Sequence, residues 1–267
     1  MTFFMKKMRG NLISNKQIGK YLLYALGETL VVMIGVYLAF QLNMNARYAE
    51  DERTEISYIQ GIIVDLNQDI TELSSLLKFD TAQLSAFTTI QKAFSDDTLK
   101  NSPALASSIG TANLFTNFNG NSIFFEDMKS SGKITLISSD ELRLSILKYH
   151  TQSRAETKHQ VEQLRRRHGT LASEAFEANV DLNSILETHF FMEEWAAELD
   201  PLEFSFFDKD IESEEVKVFA NRLSLMKGLV KFRNMGNTAL LAEAHALKSD
   251  AQAYLLSKGV EIELEGA

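Results

Sequence analysis

Glu28 is the one formally charged residue in the apolar stretch Tyr21–Leu42, and a carboxylate there is the first place to look for chemistry. An ionisable group in a hydrocarbon layer costs several kcal/mol unless it is protonated, paired or wetted. A specific role for Glu28 would be ion handling or packing against a partner. The plainer reading is a carboxylate about two turns into the layer, reached by water or by Lys20. Elsewhere the candidates thin out. His150, His159, His168, His189 and His245 are scattered, with no H-E-x-x-H or comparable ligand spacing. Arg165-Arg166-Arg167 could grip phosphate or carboxylate, but on a charged helix it reads as a solvated face opposite acidic neighbours. There is no phosphate loop, dinucleotide glycine pattern or G-x-S-x-G elbow. The chain has no cysteine, so disulfides and thiolate metal sites are excluded. These residues predict no enzyme, no catalytic residues, no cofactor and no metal.

The element that carries Glu28 is a membrane-spanning helix. Tyr21–Leu42 would extend roughly 33 Å at about 1.5 Å per residue, enough to cross the hydrocarbon layer. A signal peptide would have a shorter apolar region and a small-x-small cleavage site, whereas here the run is longer and helical character continues past it. Residues 1–20 hold Lys6, Lys7, Arg9, Lys16 and Lys20 and no acid, so they form a basic tail suited to anionic headgroups. The positive-inside rule then places the N-terminus in the cytoplasm and the bulk of the chain in the periplasm, as a single-pass protein of the inner membrane. Gly27, Gly35 and Ala39 fall on one helical stripe, a small-residue face that lets another helix approach.

The net charge is −9, and with the tail removed the remainder carries 22 basic against 36 acidic residues. An acidic body repels phosphate backbones, which excludes nucleic acid as a partner. Two prolines leave long stretches free of breakers. In residues 43–94 a stem helix is predicted from an a/d seam, Ile59, Ile63, Leu66, Ile70, Leu73 and Leu77, the pattern that packs along long neighbours. Residues 95–138 form a connecting region. A helix over 139–180 follows, opened by a capping box pairing Ser138 with Glu141. Residues 181–212, with Phe190, Phe191, Trp195, Phe204, Phe206 and Phe207, read as an aromatic cap on the helices. A C-terminal helix over 213–258 is opened by Ser213 and stopped by Gly259. The fold class is all-α: one N-terminal transmembrane helix (21–42) continuing into the stem, with an antiparallel helical bundle outside the cytoplasm (43–267).

Three stretches resemble a known family. Lys20-Tyr21-Leu22-Leu23-Tyr24-Ala25-Leu26-Gly27-Glu28 with Ala39-Phe40-Gln41-Leu42-Asn43, Tyr58-Ile59-Gln60 through Asp65-Leu66-Asn67-Gln68-Asp69-Ile70, and Phe125-Glu126-Asp127-Met128-Lys129-Ser130-Ser131-Gly132 into Ile137–Arg143 are similar to the single-span membrane proteins of Bacteroidota grouped as domain of unknown function 6090. The resemblance covers roughly residues 1–150. Family members often read Asn-Asn-Trp-Asn after the span, where this chain has Asn43-Met44-Asn45-Ala46, so no role of that tryptophan transfers. The resemblance implies an inner-membrane protein and no particular activity.

Together these features predict a membrane-anchored structural or accessory protein. Its partners would be membrane lipid and either further copies of itself or other membrane subunits. Two alternatives stand beside it: a subunit of an ion-driven or ion-conducting machine using Glu28, and a periplasmic ligand sensor acting through a partner.

Overall fold

A computed structural model describes residues 16–100, 102–177 and 205–261. Among them the chain is helical and contains no strand. The first helix, α1 (Lys16–Lys92), has no proline along its length. The chain divides into two units at Ile56/Ser57, each taken by itself.

In the first unit, the described part of the tail and the apolar segment lie on α1. Every residue from Gly19 to Phe40 is exposed. An 18-residue window there has mean hydropathy 1.9 and is 0% buried, so this helix is long and apolar enough to cross a membrane. Lys6, Lys7 and Arg9 of the basic tail lie outside the described residues.

The second unit is a helical bundle. It is formed by α1 beyond residue 57 with α2 (Pro103–Asn113), α3 (Ile123–Ser130), α4 (Asp140–Lys148), α5 (Arg154–Ala172) and α6 (Glu214–Ser257); one core joins α1, α2, the end of α5 and α6, and the Phe124 ring of α3 lies against Gly61 of α1. A π-helical turn, Tyr149–Ser153, joins α4 to α5, and a second, Ser173–Glu177, extends α5. Ion pairs and hydrogen bonds fix the sense of the helices. Asp80 meets Arg233 and Thr88 meets Lys227, so α6 runs antiparallel to α1; Lys148 meets Glu243 and Glu174 meets Arg222, so α4–α5 runs antiparallel to α6 and parallel to α1.

Local chemistry explains the ends. Ser102 caps α2 through the amide of Leu105, with Pro103 at the first helical position, where its missing N–H costs nothing. The cap of α4 is Ser139, whose side chain accepts from Leu142 N. This corrects the expected pairing of Ser138 with Glu141 by one residue. Ser213 caps α6 through Val216 N, and Gly259 closes its far end at φ +77°.

One line of buried positions on α1 runs Ile59, Ile62, Leu66, Asp69, Leu73, Leu76, Asp80, Gln83, Phe87, Ile90, alternating three and four apart, with Gly61, Asp65 and Ala86 buried beside it. Of the predicted seam, Ile59, Leu66 and Leu73 lie on this line at 0% exposure, while Ile63, Ile70 and Leu77 flank it half-buried. Polar residues at 69, 80 and 83 hide the true line from an apolar count. At one end of the bundle Phe94, Phe176, Phe206 and Phe207 gather around Phe219 with edge-on and tilted ring contacts. Phe206 and Phe207 of the predicted cap are therefore core residues, whereas Phe190, Phe191, Trp195 and Phe204 lie outside the described residues.

Candidate functional site

In the apolar segment, Glu28 is exposed, on a helix face shared with Lys20, Tyr24, Gly27 and Val31, where the surface is shallowly concave. Two polar side chains C-terminal to it bond within the helix. Thr29 Oγ1 donates to Ala25 O at 2.8 Å, and Gln41 Nε2 donates to Tyr37 Oη at 3.1 Å. Such internal bonds hide polar atoms from lipid. Nothing lies within 4 Å of a Cβ placed on Gly27 or Gly35, and Ala39 is exposed, so the small-residue stripe is open to a neighbouring helix.

Inside the bundle, chemistry gathers in two layers. The first begins with three acids on one face of α1, Asp65, Asp69 and Glu72, at the spacing that aligns side chains along a helix. They receive the loop that leads into α3. Asp65 Oδ2 accepts from the amides of Phe124 (3.0 Å) and Phe125 (3.3 Å), and so caps α3 from across the bundle at the end its dipole makes positive. Asp69 Oδ1 accepts from Asn121 N at 2.7 Å, and Glu72 accepts from Asn119 N and Gly120 N at 2.9 and 3.1 Å. Gly120 has φ +69°, and a Cβ there would collide with the Arg154 guanidinium.

The π turn brings Tyr149 and, just after it, Arg154 to Asp69, with His150 beside Arg154, the wider turn re-aiming successive residues of one helix. Tyr149 Oη donates to Asp69 Oδ2 at 2.8 Å, and Arg154 Nε lies 3.7 Å from that oxygen. Arg154 Nη1 donates to Asn121 O at 2.7 Å and lies 3.0 Å from His150 Nδ1. The His150 ring stacks on Phe125 at 4.3 Å. Burial pushes the Asp65 and Asp69 carboxyls up, opposed by the backbone bonds they accept and by Arg154. Burial, with the Arg154 charge added, holds His150 down to about 3, and burial together with Asp69 raises the Tyr149 hydroxyl.

The second layer centres on Arg233 of α6, 1% exposed. It pairs with Asp80 through both Nε and Nη2, and Nη2 also donates to Gln83 Oε1 at 2.8 Å. Its guanidinium lies 4.3 Å over the Phe115 ring. Gln83 Nε2 donates to the carbonyls of Thr111, Ala112 and Leu114 and so ties down the end of α2. His168 packs against Phe115, and burial, followed by the Arg233 charge, holds it down to about 4. Burial pushes Asp80 up while Arg233 pulls it back.

The sequence reading missed both layers. The signal was present: polar residues at 69, 80 and 83 keep the three-four spacing of α1, and Arg233 and Asn237 sit in the apolar line Val230–Leu240 of α6. Arg165 and Arg166, by contrast, are exposed and both bond Glu162 of their own helix. Chemically, each buried charge has partners from other elements, so the layers act as cross-links between helices and loop.

No curated protein and no solved structure matches the chain. Residues 28–160 match a family of unknown function, a span that holds Glu28 and every partner of the first layer from Asp65 to Arg154. The family that this segment matches is DUF6090.

Proposed function

We propose that this chain is a single-pass membrane protein that serves as a structural or accessory subunit, joining copies of itself or other membrane proteins in an envelope complex. The observation that carries this reading is the apolar helix from Gly19 to Phe40, exposed on every side. Exposed continuous apolar surface of that length needs lipid or protein around it. The basic residues before it favour a cytoplasmic N-terminus and a bundle on the periplasmic side of the inner membrane. The two polar layers support a structural role, because they pin loop and helices into one arrangement instead of presenting a charge to a ligand. Crosslinking in native membranes, then purification in mild detergent and a mass measurement, tests it. A defined assembly is expected; monomer alone at every concentration would refute it.

A second reading, ion handling by Glu28, is favoured by one contrast: Thr29 and Gln41 are bonded within the helix, while Glu28 faces outward. Glu28→Gln distinguishes the two. Full cellular function and unchanged assembly would leave Glu28 without an ionic role.

A further inference from the structure

The core line of α6 uses one side of that helix. The opposite side carries a second line at the same three-four spacing, from Val218 to Leu256, and it is exposed at every position. Its large members are Val218, Leu225, Phe232, Met235 and Leu256, exposed by 36%, 51%, 52%, 68% and 59%. Alanine, glycine and serine fill the other positions except Asn221, and no charge interrupts the line. A solvated helix face normally carries charges there; an uncharged heptad line is the seam that another helix packs into.

We propose that a second copy of this chain docks on this face, α6 against α6 and running the same way. The idea rests on the membrane reading above, since two copies anchored in one membrane stand the same way up. The flanks suit a parallel pair. Lys217 and Arg222 are neutralised within their own chain by Glu212 (2.9 Å) and Glu174 (3.3 Å). Glu243 lies 3.9 Å from Lys148 of its own chain. His245 and Asp250 are an exposed flanking pair whose five-residue offset sets each opposite the other across a parallel seam, and the exposed flank residue Lys231 falls opposite the uncharged Gly236. The line is about 57 Å long, and a strip about 10 Å wide would bury roughly 1,200 Å² over both copies, at the low end for a stable interface. Asn221 would face its own copy, the kind of polar layer that holds a register.

The chain lacks cysteine, so single replacements read the geometry directly. In full-length protein in native membranes, Leu225→Cys and Phe232→Cys should each give a disulfide-linked dimer, and Gln163→Cys on the exposed side of α5 should not. Leu225→Glu with Phe232→Glu, both at exposed positions, should keep the helical circular-dichroism signal and abolish seam crosslinks from Met235→Cys. Absence of dimer at Leu225 and Phe232 in membrane-inserted chain overturns the proposal, even if Gly27→Cys crosslinks in the span. Crosslinks in a mixture of Val218→Cys and Leu256→Cys chains, without them in either single, also overturn it by showing opposed helices. Membrane fractionation of the same samples reports separately on the anchor.

Discussion

Removing Arg233 should damage the bundle far more than removing the whole Arg233–Asp80 pair. Asp80 is fully buried, and its Oδ1 takes both bonds from Arg233. Arg233→Met keeps much of the side-chain volume against Phe115 but leaves that carboxylate without its cation. Breaking a buried pair in this way costs roughly 3–5 kcal/mol, a large share of the 5–15 kcal/mol typical of a domain. For a bundle of this size the melting point should fall by roughly 6–20 °C at about 2–4 °C per kcal/mol. Asp80→Leu combined with Arg233→Met removes both charges, and such exchanges are often close to neutral. The assay is urea and thermal unfolding of full-length protein in detergent, followed by circular dichroism, for both single variants and the double. A strongly positive coupling is expected. A loss under about 1 kcal/mol for Arg233→Met would refute the buried-pair account, because an exposed pair is worth only that much.

Three further outcomes follow from the same geometry. His150 and His168 are held down to about 3 and 4, so they stay neutral while the unfolded chain protonates near 6.5. Their contribution is complete above pH 6.5 and is lost as pH falls; for His168 it is at most roughly 3 kcal/mol, gone near pH 4. Asp65, Asp69 and Asp80, raised by burial, act in the opposite sense, so the clean measurement is the difference between wild type and His168→Gln. The variant should lose less stability between pH 6.5 and 4.5; an identical slope would place His168 in water. Tyr149→Phe strips one bond from the buried Asp69 and should cost about 1–3 kcal/mol in urea unfolding. Gly120→Ala combines a left-handed backbone with a collision against Arg154, and should cost more than the roughly 1–2 kcal/mol of the backbone term alone.

The all-helical class and the apolar N-terminal helix were legible because they rest on periodicity and on the scarcity of proline and glycine, which local physics dictates. The true packing line of α1 was not, because it runs through Asp69, Asp80 and Gln83, and an apolar count steps aside to Ile63, Ile70 and Leu77. Whether a polar residue on a seam is solvated or buried depends on a partner far along the chain. For Asp80 that partner is Arg233, 153 residues away. The π turn at Tyr149–Ser153 has no local signature either; it follows from where Asp69 and the Asn121 loop need Tyr149 and Arg154. The cap at Ser139 instead of Ser138 is a smaller case: both serines can cap, and packing of Leu142 and Ile146 sets the phase.

Topology is the most direct test of the membrane account. With no native cysteine, the single variants Asn15→Cys and Ser75→Cys bracket the apolar helix, and Ser75 is exposed on the bundle. Intact cells, permeabilised only at the outer membrane where one is present, are treated with a membrane-impermeant maleimide and compared with lysed cells. Labelling of the Ser75→Cys chain in intact cells, with the Asn15→Cys chain reached only after lysis, is the predicted result. Labelling of both variants in intact cells, or of neither, would contradict a single-span protein with its N-terminus in the cytoplasm.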